Sequence, residues 1–234
     1  QFLAYIGSMD LNRFSNSSSI AADFGAGSGR WTSRFAPYFK TIYAIEPSDG
    51  ASKVLSEKFK HDARVKVLKE SVGDNSIPDG SLDLAVSLGV LHHIPDTALA
   101  ISDIAKKIRP GGEFLCYLYY KLEEKPFLYR LIFSISNVVR RLISRSPYPI
   151  KRALSKLIAI VIYLPLARIS KLLHSVGRNT NNIPLHHYKD MPFYMLANDA
   201  LDRFGTRLEQ RFNKAEITEM LSSAGFDVKT LNFS

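Results

Sequence analysis

Three glycines at every second position follow a short apolar run near the start of the chain. The stretch IAADFGAGSGRW covers residues 20–31 and contains Gly25, Gly27 and Gly29. A glycine loop between a strand and a helix lets a ligand approach the backbone, and free N–H groups at the helix start attract negative charge. Arg30 stands where a dinucleotide-binding loop, G-x-G-x-x-G, has its third glycine. The loop therefore predicts a ligand site other than a dinucleotide site, with a plain turn as the alternative.

Two carboxylates and two histidines accompany this loop. Asp23 lies two residues before the first glycine and could neutralise an ammonium group. Glu46 ends a second apolar run, where a carboxylate can accept from both hydroxyls of a ribose. His92 and His93 lie in SLGVLHHIPD, residues 87–96, and histidine is the usual general base near neutral pH. The alternatives are a solvated strand end for Glu46 and packing or turn-capping roles for the histidines.

Alternating strands and helices must position these side chains. Apolar, β-branched runs predict strands at 20–24, 41–45, 65–68, 82–88 and 113–120, and helical spacing predicts helices at 30–38, 51–59 and 97–108. Such alternation is typical of βαβ units and a parallel sheet. Near the end of the chain, the spacing of Asn213 and Glu216 predicts a capping box at the start of a last helix, and Gly225 is predicted to end that helix. A last strand is predicted at 226–231.

The positive charge is concentrated in one segment. The 234 residues include 31 Lys and Arg and 22 Asp and Glu, a net charge of +9. Residues 121–178 hold 12 of these basic residues and two of the acidic residues, a net charge of +10. The rest of the chain holds 19 basic and 20 acidic residues, a net charge of −1. The high isoelectric point therefore describes an insertion and not the predicted sheet domain.

The insertion between residues 127 and 173 is apolar and cationic and contains no acid. Its longest uncharged run, residues 157–167, has 11 residues, which is too short for a membrane span of about 20. We expect a lid over an acceptor pocket, a lid that also contacts an anionic membrane surface, or a solvated cap or dimer face. The segment is too apolar to track phosphates along a nucleic acid, so we expect no nucleic-acid partner. A hydrophobic lid would imply an apolar or lipid-like acceptor.

Cysteine usage limits the remaining classes. Cys116 is the one cysteine, which excludes a disulfide framework and a cysteine-based metal site. No histidine and carboxylate pattern has metal-site spacing, so we predict no metal. The chain start mixes polar residues into its apolar positions, so we expect no signal peptide. These features favour a cytoplasmic protein, with peripheral contact at the inner membrane surface left open.

Five motifs together resemble class I S-adenosylmethionine-dependent methyltransferases of the small-molecule type, similar to the ubiquinone and menaquinone biosynthesis enzymes. They are DFGAGSGRW (23–31), YAIEPS (43–48), IPDGSLDLAVSLGVLHHIPD (77–96), IRPGGEFL (108–115) and ITEMLSSAGF (217–226). They come in family order and cover about half of the chain. The resemblance implies an α/β, doubly wound, Rossmann-like sheet of seven mostly parallel strands, the last antiparallel. A helical insertion would follow strand five and precede the last helix.

The resemblance also assigns the residues around the cofactor, S-adenosylmethionine. The glycine loop would wrap the methionine portion, Asp23 would help to hold its ammonium group directly or through water, and Glu46 would hold the ribose hydroxyls. The line KESVGDNSIP, residues 69–78, departs from the commoner acid–alanine form, so several residues are candidates for the adenine amino group. The predicted cofactor set is Asp23, Gly25, Ala26, Gly27, Ser28, Gly29, Glu46, Pro47, Ser48, Ser71, Val72, Asp74, Ser87, Leu88 and Gly89.

The predicted organisation has a cofactor-binding core at residues 1–120 and 205–234 and an insertion at 121–204. His92 or His93 would be the base, and PLHHYKDMPFY, residues 184–194, supplies acceptor-pocket candidates in His186, His187 and Tyr188, with a surface loop as the alternative. The function that follows is methyl transfer to a small molecule. The alternatives are a non-catalytic relative that acts through its basic segment on a membrane or protein, and a nicotinamide-dependent oxidoreductase.

Overall fold

The computed structural model describes residues 6–7, 9–15, 18–123, 126–180 and 183–233, and only the backbone of Leu128. The chain divides into two compact units. Residues 1–121 and 210–234 form one, called here the core unit, and residues 122–209 form the other, called here the insertion unit. Each unit has its own hydrophobic core.

A parallel sheet is the centre of the core unit. Its strands are β1 (Ile20–Phe24), β2 (Thr41–Ile45), β3 (Val65–Leu68), β4 (Leu82–Leu88) and β5 (Ile108–Tyr117), in the order β3-β2-β1-β4-β5. All four strand pairs are parallel. Four of the five residues of β1 are buried, as expected for a central strand that is covered on both faces. The predicted α/β class with a parallel sheet is therefore confirmed.

Helices cover both faces of this sheet. They are α1 (Thr32–Phe35), α2 (Asp49–Phe59), α3 (Thr97–Lys107) and, after the insertion, α8 (Lys214–Ser223). Phe35, Leu55 and Phe59 belong to the core on one face. Ile101, Ile104 and Ile217 belong to the core on the other. The arrangement is doubly wound, and it brings the carboxyl ends of β1, β2 and β4 to one edge.

The predicted strand at 226–231 is wrong. Within the described residues the sheet has five strands, so the seven-strand expectation is not confirmed. The side chain of Asp227 accepts a hydrogen bond from the Lys229 backbone and its carbonyl accepts one from Thr230 Oγ1, which closes a 3₁₀ turn over Val228–Thr230. The Phe226 ring meanwhile stacks on Phe114 of β5 at 5.5 Å between centroids. The segment thus packs its ring on the sheet instead of joining it.

Strand β5 also begins earlier than predicted, at Ile108 and not at 113. The register with β4 shifts between Leu82 and Leu84, which leaves room for the irregular Pro110–Gly112 segment. A Cβ on Gly112 would lie 2.8 Å from the carbonyl oxygen of Leu82. Glycine at this position therefore allows the strand to continue through a bulge.

The insertion unit is helical. It contains α4 (Phe127–Ile143), α5 (Tyr148–Ile158), a π-helical turn (Ala159–Tyr163), α6 (Leu164–Ser175) and α7 (Phe193–Gly205). Its core consists of Ile143, Ala159, Tyr163, Ala167, Tyr188, Leu196, Ala200 and Phe204. An ion pair between Arg203 and Glu209 lies among these helices. Arg140 Nη1 donates to the carbonyl oxygens of Thr206 and Arg207 at 3.0 Å each, which fastens the end of the unit to α4.

Helices α5 and α6 continue through the π turn as one helix, Tyr148–Ser175. The Leu164 N–H donates to the Ala159 carbonyl five residues back, and this wider turn precedes Pro165, which lacks an N–H. Among the described residues this is the one helix whose length and composition would allow a membrane crossing, with a mean hydropathy of 1.7 over 18 residues. The uncharged run 157–167 is therefore part of a longer helix, because Pro165 does not end it.

Candidate functional site

The glycine loop follows β1 at the carboxyl edge of the sheet. The N–H groups of Gly25 and Ala26 both donate to the Ile45 carbonyl oxygen at 2.9 Å, which ties the loop to the end of β2. Gly29 N–H donates to Ala26 O at 2.8 Å and closes the turn. The loop is therefore held by one backbone hydrogen bond within itself and by two to the end of β2.

The three glycines have different structural roles, although all have positive φ. A Cβ on Gly25 would lie 2.4 Å from Val90 Cγ2, and one on Gly29 would lie 2.5 Å from Phe59 Cε2. A Cβ on Gly27, with φ +56°, would meet nothing within 4 Å. Gly25 and Gly29 therefore permit close packing inside the protein. Gly27 borders open space, as a glycine that a ligand approaches would do.

Glu46 lies directly after β2 and faces this loop. Its Oε2 accepts from Gly27 N–H at 2.9 Å, and its Oε1 accepts from the N–H and hydroxyl of Ser48 at 3.0 and 2.6 Å. A carboxylate has about four acceptor positions, so one remains for a ligand hydroxyl. The side chain is buried, which orients both oxygens. The alternative of a solvated strand end is therefore wrong for Glu46, and its cofactor role stays a prediction.

Asp23 is almost completely buried at the end of β1, with 1% of its surface exposed. Thr32 Oγ1 donates to its Oδ2 at 2.6 Å. Burial raises the pKa of the Asp23 carboxyl from 3.8 to about 6; the hydrogen bond with Thr32 opposes this shift and the charge of Glu46 adds to it. A buried carboxylate can bind a cation strongly, because little water competes with it. Thr32 was not predicted, and no sequence pattern marks it.

The other predicted cofactor residues lie at the same edge. Ser87 Oγ donates to Phe24 O at 3.1 Å, Leu88 is buried, and Gly89 has φ +84° with open space at its Cβ position. After β3, Ser71 Oγ accepts from the Asp74 N–H at 3.2 Å, and Val72 is buried beneath this turn. Pro47, Ser48 and Ser28 are exposed. The sheet thus places the predicted set at or just after the carboxyl ends of β1, β2, β3 and β4.

The paired histidines differ in exposure. His92 is fully buried, and its ring stacks on Tyr119 with centroids 3.8 Å apart, while His93 is half-buried. The backbone around them is held by Gln210, whose N–H donates to His92 O at 2.9 Å and whose Nε2 donates to Ile94 O at 2.6 Å. Asp96, and not a histidine, caps the following helix. Tyr119 and Gln210 were not predicted, because their contacts join segments about 30 and 120 residues apart.

The second histidine pair lies in the insertion unit. His186–Tyr188 forms a 3₁₀ turn preceded by Leu185 at φ +64°. Tyr188 is buried against Tyr163 at 5.6 Å between centroids, and His187 packs on Tyr188 at 4.0 Å. Burial, and then the charge of His186, lower the pKa of His187. Tyr188 is thus a core residue of its unit, and the acceptor role of the three residues stays a prediction.

No cluster of three or more histidine, cysteine or acidic side chains suited to a metal ion occurs within the part of the chain that the structure describes. The core-edge residues can bind and orient a ligand by hydrogen bonds and charge. An acceptor for a hydroxyl, a buried carboxyl group and an open backbone segment lie within one loop cluster. This donor and acceptor set fits a ligand with an ammonium group and a ribose.

Part of the core unit is similar to known proteins. Residues 22–116 match the family model described as a methyltransferase domain. An uncharacterized methyltransferase of Anoxybacillus flavithermus is 29% identical over 101 residues, 42% of this chain and 46% of that protein. Phosphoethanolamine N-methyltransferase 2 of Caenorhabditis elegans is 30% identical over 103 residues, 42% of this chain and 23% of the relative. The matched segments span less than half the length of these curated relatives.

Solved structures show a looser likeness. YcgJ protein of Bacillus subtilis aligns with a TM-score of 0.48 and 19% identity over 56% of each chain. The methyltransferase CalH, in complex with SAH, aligns with a TM-score of 0.42 and 16% identity over 45% of this chain and 34% of that one. Likenesses this low carry no conclusion about function. Residues 22–116, which match the methyltransferase-domain model, run from within β1 to within β5 of the parallel sheet of order β3-β2-β1-β4-β5, so this part of the chain is similar to a methyltransferase domain.

Proposed function

We propose that this chain binds S-adenosylmethionine at the glycine loop and transfers its methyl group to a small, apolar or lipid-like molecule. The observation that carries the proposal is the position of the Glu46 carboxylate, which is bonded to Gly27 N–H at 2.9 Å beside open space. The methyltransferase family match covers this loop. A nicotinamide dinucleotide is disfavoured, because Arg30 replaces the third glycine of its loop.

When bound, the cofactor supplies a methyl group already activated by a positively charged sulfur. Glu46 would accept a ribose hydroxyl at its remaining acceptor position, and Asp23, held by Thr32, would attract the ammonium group. Both groups are oriented before the ligand arrives, so little entropy is lost in ordering them. The protein then contributes mainly the alignment of acceptor and methyl group.

For an acceptor that must lose a proton, we propose His93 as the base. His92 is fully buried under Tyr119 and presents no surface to an acceptor, whereas His93 is half-buried. His186, His187 and Tyr188 are proposed to border the acceptor. The apolar character of the acceptor is inferred from the apolar insertion, and the cytoplasmic location stays a prediction.

Thermal unfolding of the chain with S-adenosylhomocysteine, NADH or buffer tests this proposal. A ligand that binds only the folded state at 100 times its Kd stabilises it by about 2.7 kcal/mol. We expect a raised Tm with S-adenosylhomocysteine alone, and no rise in Glu46→Ala. Glu57→Ala, on the exposed side of α2, is the matched control and should keep the full rise. No rise in wild-type protein that mass spectrometry shows to be free of co-purified ligand would overturn the proposal.

A further inference from the structure

An arginine-lined cavity lies within the insertion unit, apart from the glycine loop. Its volume is about 640 Å³, and four guanidinium groups border it, from Arg140, Arg141, Arg145 and Arg207, together with Ser144 and Glu209. All of these residues come from the end of α4 or from the segment after α7. The cavity is therefore a property of one unit and needs no second one to form.

The charge in this cavity is largely unneutralised. Glu209 is paired with Arg203, and Arg140, only 6% exposed, donates to two backbone carbonyls. Arg141, Arg145 and Arg207 are exposed, and none forms an ion pair with a carboxylate among the residues that the structure describes. Guanidinium groups bind phosphate oxygens in a bidentate manner. The cavity therefore suits a phosphate group.

An apolar stripe on α4 leads to this cavity. Its exposed side chains recur at intervals of four, four, three and four residues, so they lie along one helix face. The first, Phe127, is 72% exposed and the last, Leu142, which lies between Arg141 and Arg145 in sequence, is 67% exposed. The stripe consists of Phe127, Leu131, Ile135, Val138 and Leu142. An exposed apolar surface of this extent marks an interaction site.

The long helix Tyr148–Ser175 has a similar character. Its buried side is lined by small residues, Ser155, Ala159, Ala167 and Ser170, around Tyr163, while large aliphatic side chains such as Leu157, Val161 and Leu172 are exposed. This distribution is unfavourable in water and favourable next to lipid. Residues 125–189 contain 12 Lys and Arg and no acid, so the complementary lipid surface is anionic.

We infer that the arginine cavity binds the headgroup phosphate of an anionic phospholipid at a bilayer surface, with the apolar stripe of α4 inserted among the lipids. Contact with the surface is favoured over a membrane crossing for two reasons. The longest uncharged run within the long helix is residues 157–167, and a crossing needs about 20 predominantly apolar residues. The buried side of that helix also shares its core with α7, which carries Asp199 and Asp202 and is too polar for hydrocarbon.

Flotation of the full chain with vesicles tests the inference without any methyl-transfer readout, so its failure is separate from that of the proposed function. The vesicles are phosphatidylcholine alone, or phosphatidylcholine mixed with an equal amount of phosphatidylglycerol. We expect binding to the mixed vesicles only. Arg141→Gln with Arg145→Gln should weaken partitioning roughly 30-fold, since each cation at such a surface contributes about fivefold. Circular dichroism checks that this variant is folded.

Two matched variants lose the same charge elsewhere. Lys40→Gln with Lys53→Gln lies in the core unit, and Arg152→Gln with Lys156→Gln lies on exposed positions of α5. The core-unit variant should retain most of the binding, and the α5 variant should lose clearly less than the cavity variant. An equal loss of vesicle binding in either variant would show that diffuse electrostatic attraction, and not the cavity, accounts for binding, and it would overturn the inference. Three further outcomes would also overturn it: binding to phosphatidylcholine alone, retention on vesicles after alkaline carbonate washing, and binding of inorganic phosphate or glycerol 3-phosphate without vesicle binding.

Discussion

The carboxylate of Glu46 accepts a hydrogen bond from the backbone N–H of Gly27 at 2.9 Å. This bond joins the end of β2 to the middle of the loop that follows β1. The same carboxylate also holds Ser48 by two hydrogen bonds. One side chain therefore orders the loop and presents an acceptor to a ligand, so its removal should affect both stability and binding.

Replacement of Glu46 by alanine should lower the free energy of unfolding by about 2–4 kcal/mol, because hydrogen bonds to a charged acceptor contribute about 1.5–3 kcal/mol each and two backbone donors lose theirs. Ser48→Ala removes only one of the three donors and should cost about 1 kcal/mol. Urea unfolding measures both. A Glu46→Ala chain that is as stable as the Ser48→Ala chain would show that the Gly27 bond contributes little.

Because of Asp23, the free energy of unfolding should decrease as the pH is raised from about 4 to about 6. Its folded-state pKa of about 6 exceeds its ordinary value of 3.8, so in this window the folded chain holds a proton that the unfolded chain has released. The stabilisation is complete below pH 4 and lost as the pH rises through 6. The difference of about two pKa units corresponds to roughly 3 kcal/mol.

Asp23→Asn removes this ionisation while leaving an oxygen that can accept from Thr32. We expect the variant to be more stable than wild type at pH 7, by up to roughly 3 kcal/mol, and to lose affinity for S-adenosylhomocysteine. Urea unfolding from pH 4 to pH 7 measures the first effect and calorimetric titration the second. Asp79→Asn, at an exposed position, is the control. If the Asp23→Asn profile retained the wild-type slope between pH 4 and pH 6, another group would be responsible.

The three loop glycines should respond differently to alanine. Gly29→Ala should destabilise by about 2–4 kcal/mol, because its Cβ would overlap Phe59 and Leu55 in a strained left-handed backbone. Gly27→Ala should lower the free energy of unfolding by only about 1 kcal/mol, because its Cβ meets no protein atom. The same Cβ would occupy the space proposed for the ligand, so this substitution should abolish ligand binding. Gly50→Ala, in α2 with no contact within 4 Å, is the control and should be neutral or stabilising. Equal losses at Gly27 and Gly29 would contradict this division.

The two adjacent histidines should separate stability from catalysis. His92→Ala should lower the free energy of unfolding by about 2–4 kcal/mol, because it leaves a cavity under Tyr119. His92→Phe keeps a ring and should lower it by less than about 1.5 kcal/mol. His93→Gln should leave stability nearly unchanged but slow methyl transfer to an apolar hydroxyl acceptor by about 10²–10⁴-fold and remove the fall in rate on the acidic side of the pH–rate profile. An unchanged rate in His93→Gln would exclude it as the base.

Local patterns in the sequence were sufficient for most of the core unit. The runs at β1 to β4, the Asn213–Glu216 capping box and the Gly225 helix end all depend on neighbouring residues, and the structure confirms them. Residues 226–231 were misassigned because their apolar content suits either a strand or a packed turn. Only the contact of Phe226 with Phe114 distinguishes the two.

The sequence by itself determined the fold class, the place of the glycine loop and the concentration of charge in the insertion, because these follow from periodicity, spacing and composition along the chain. The tertiary structure alone decided that Gly27 and not Gly25 or Gly29 borders open space, that Asp23 bonds with Thr32, and that His92 lies buried beneath Tyr119. It also brought Arg141 and Arg145 to one cavity with Arg207. Each of these depends on burial or on contacts between distant segments, which no local pattern records.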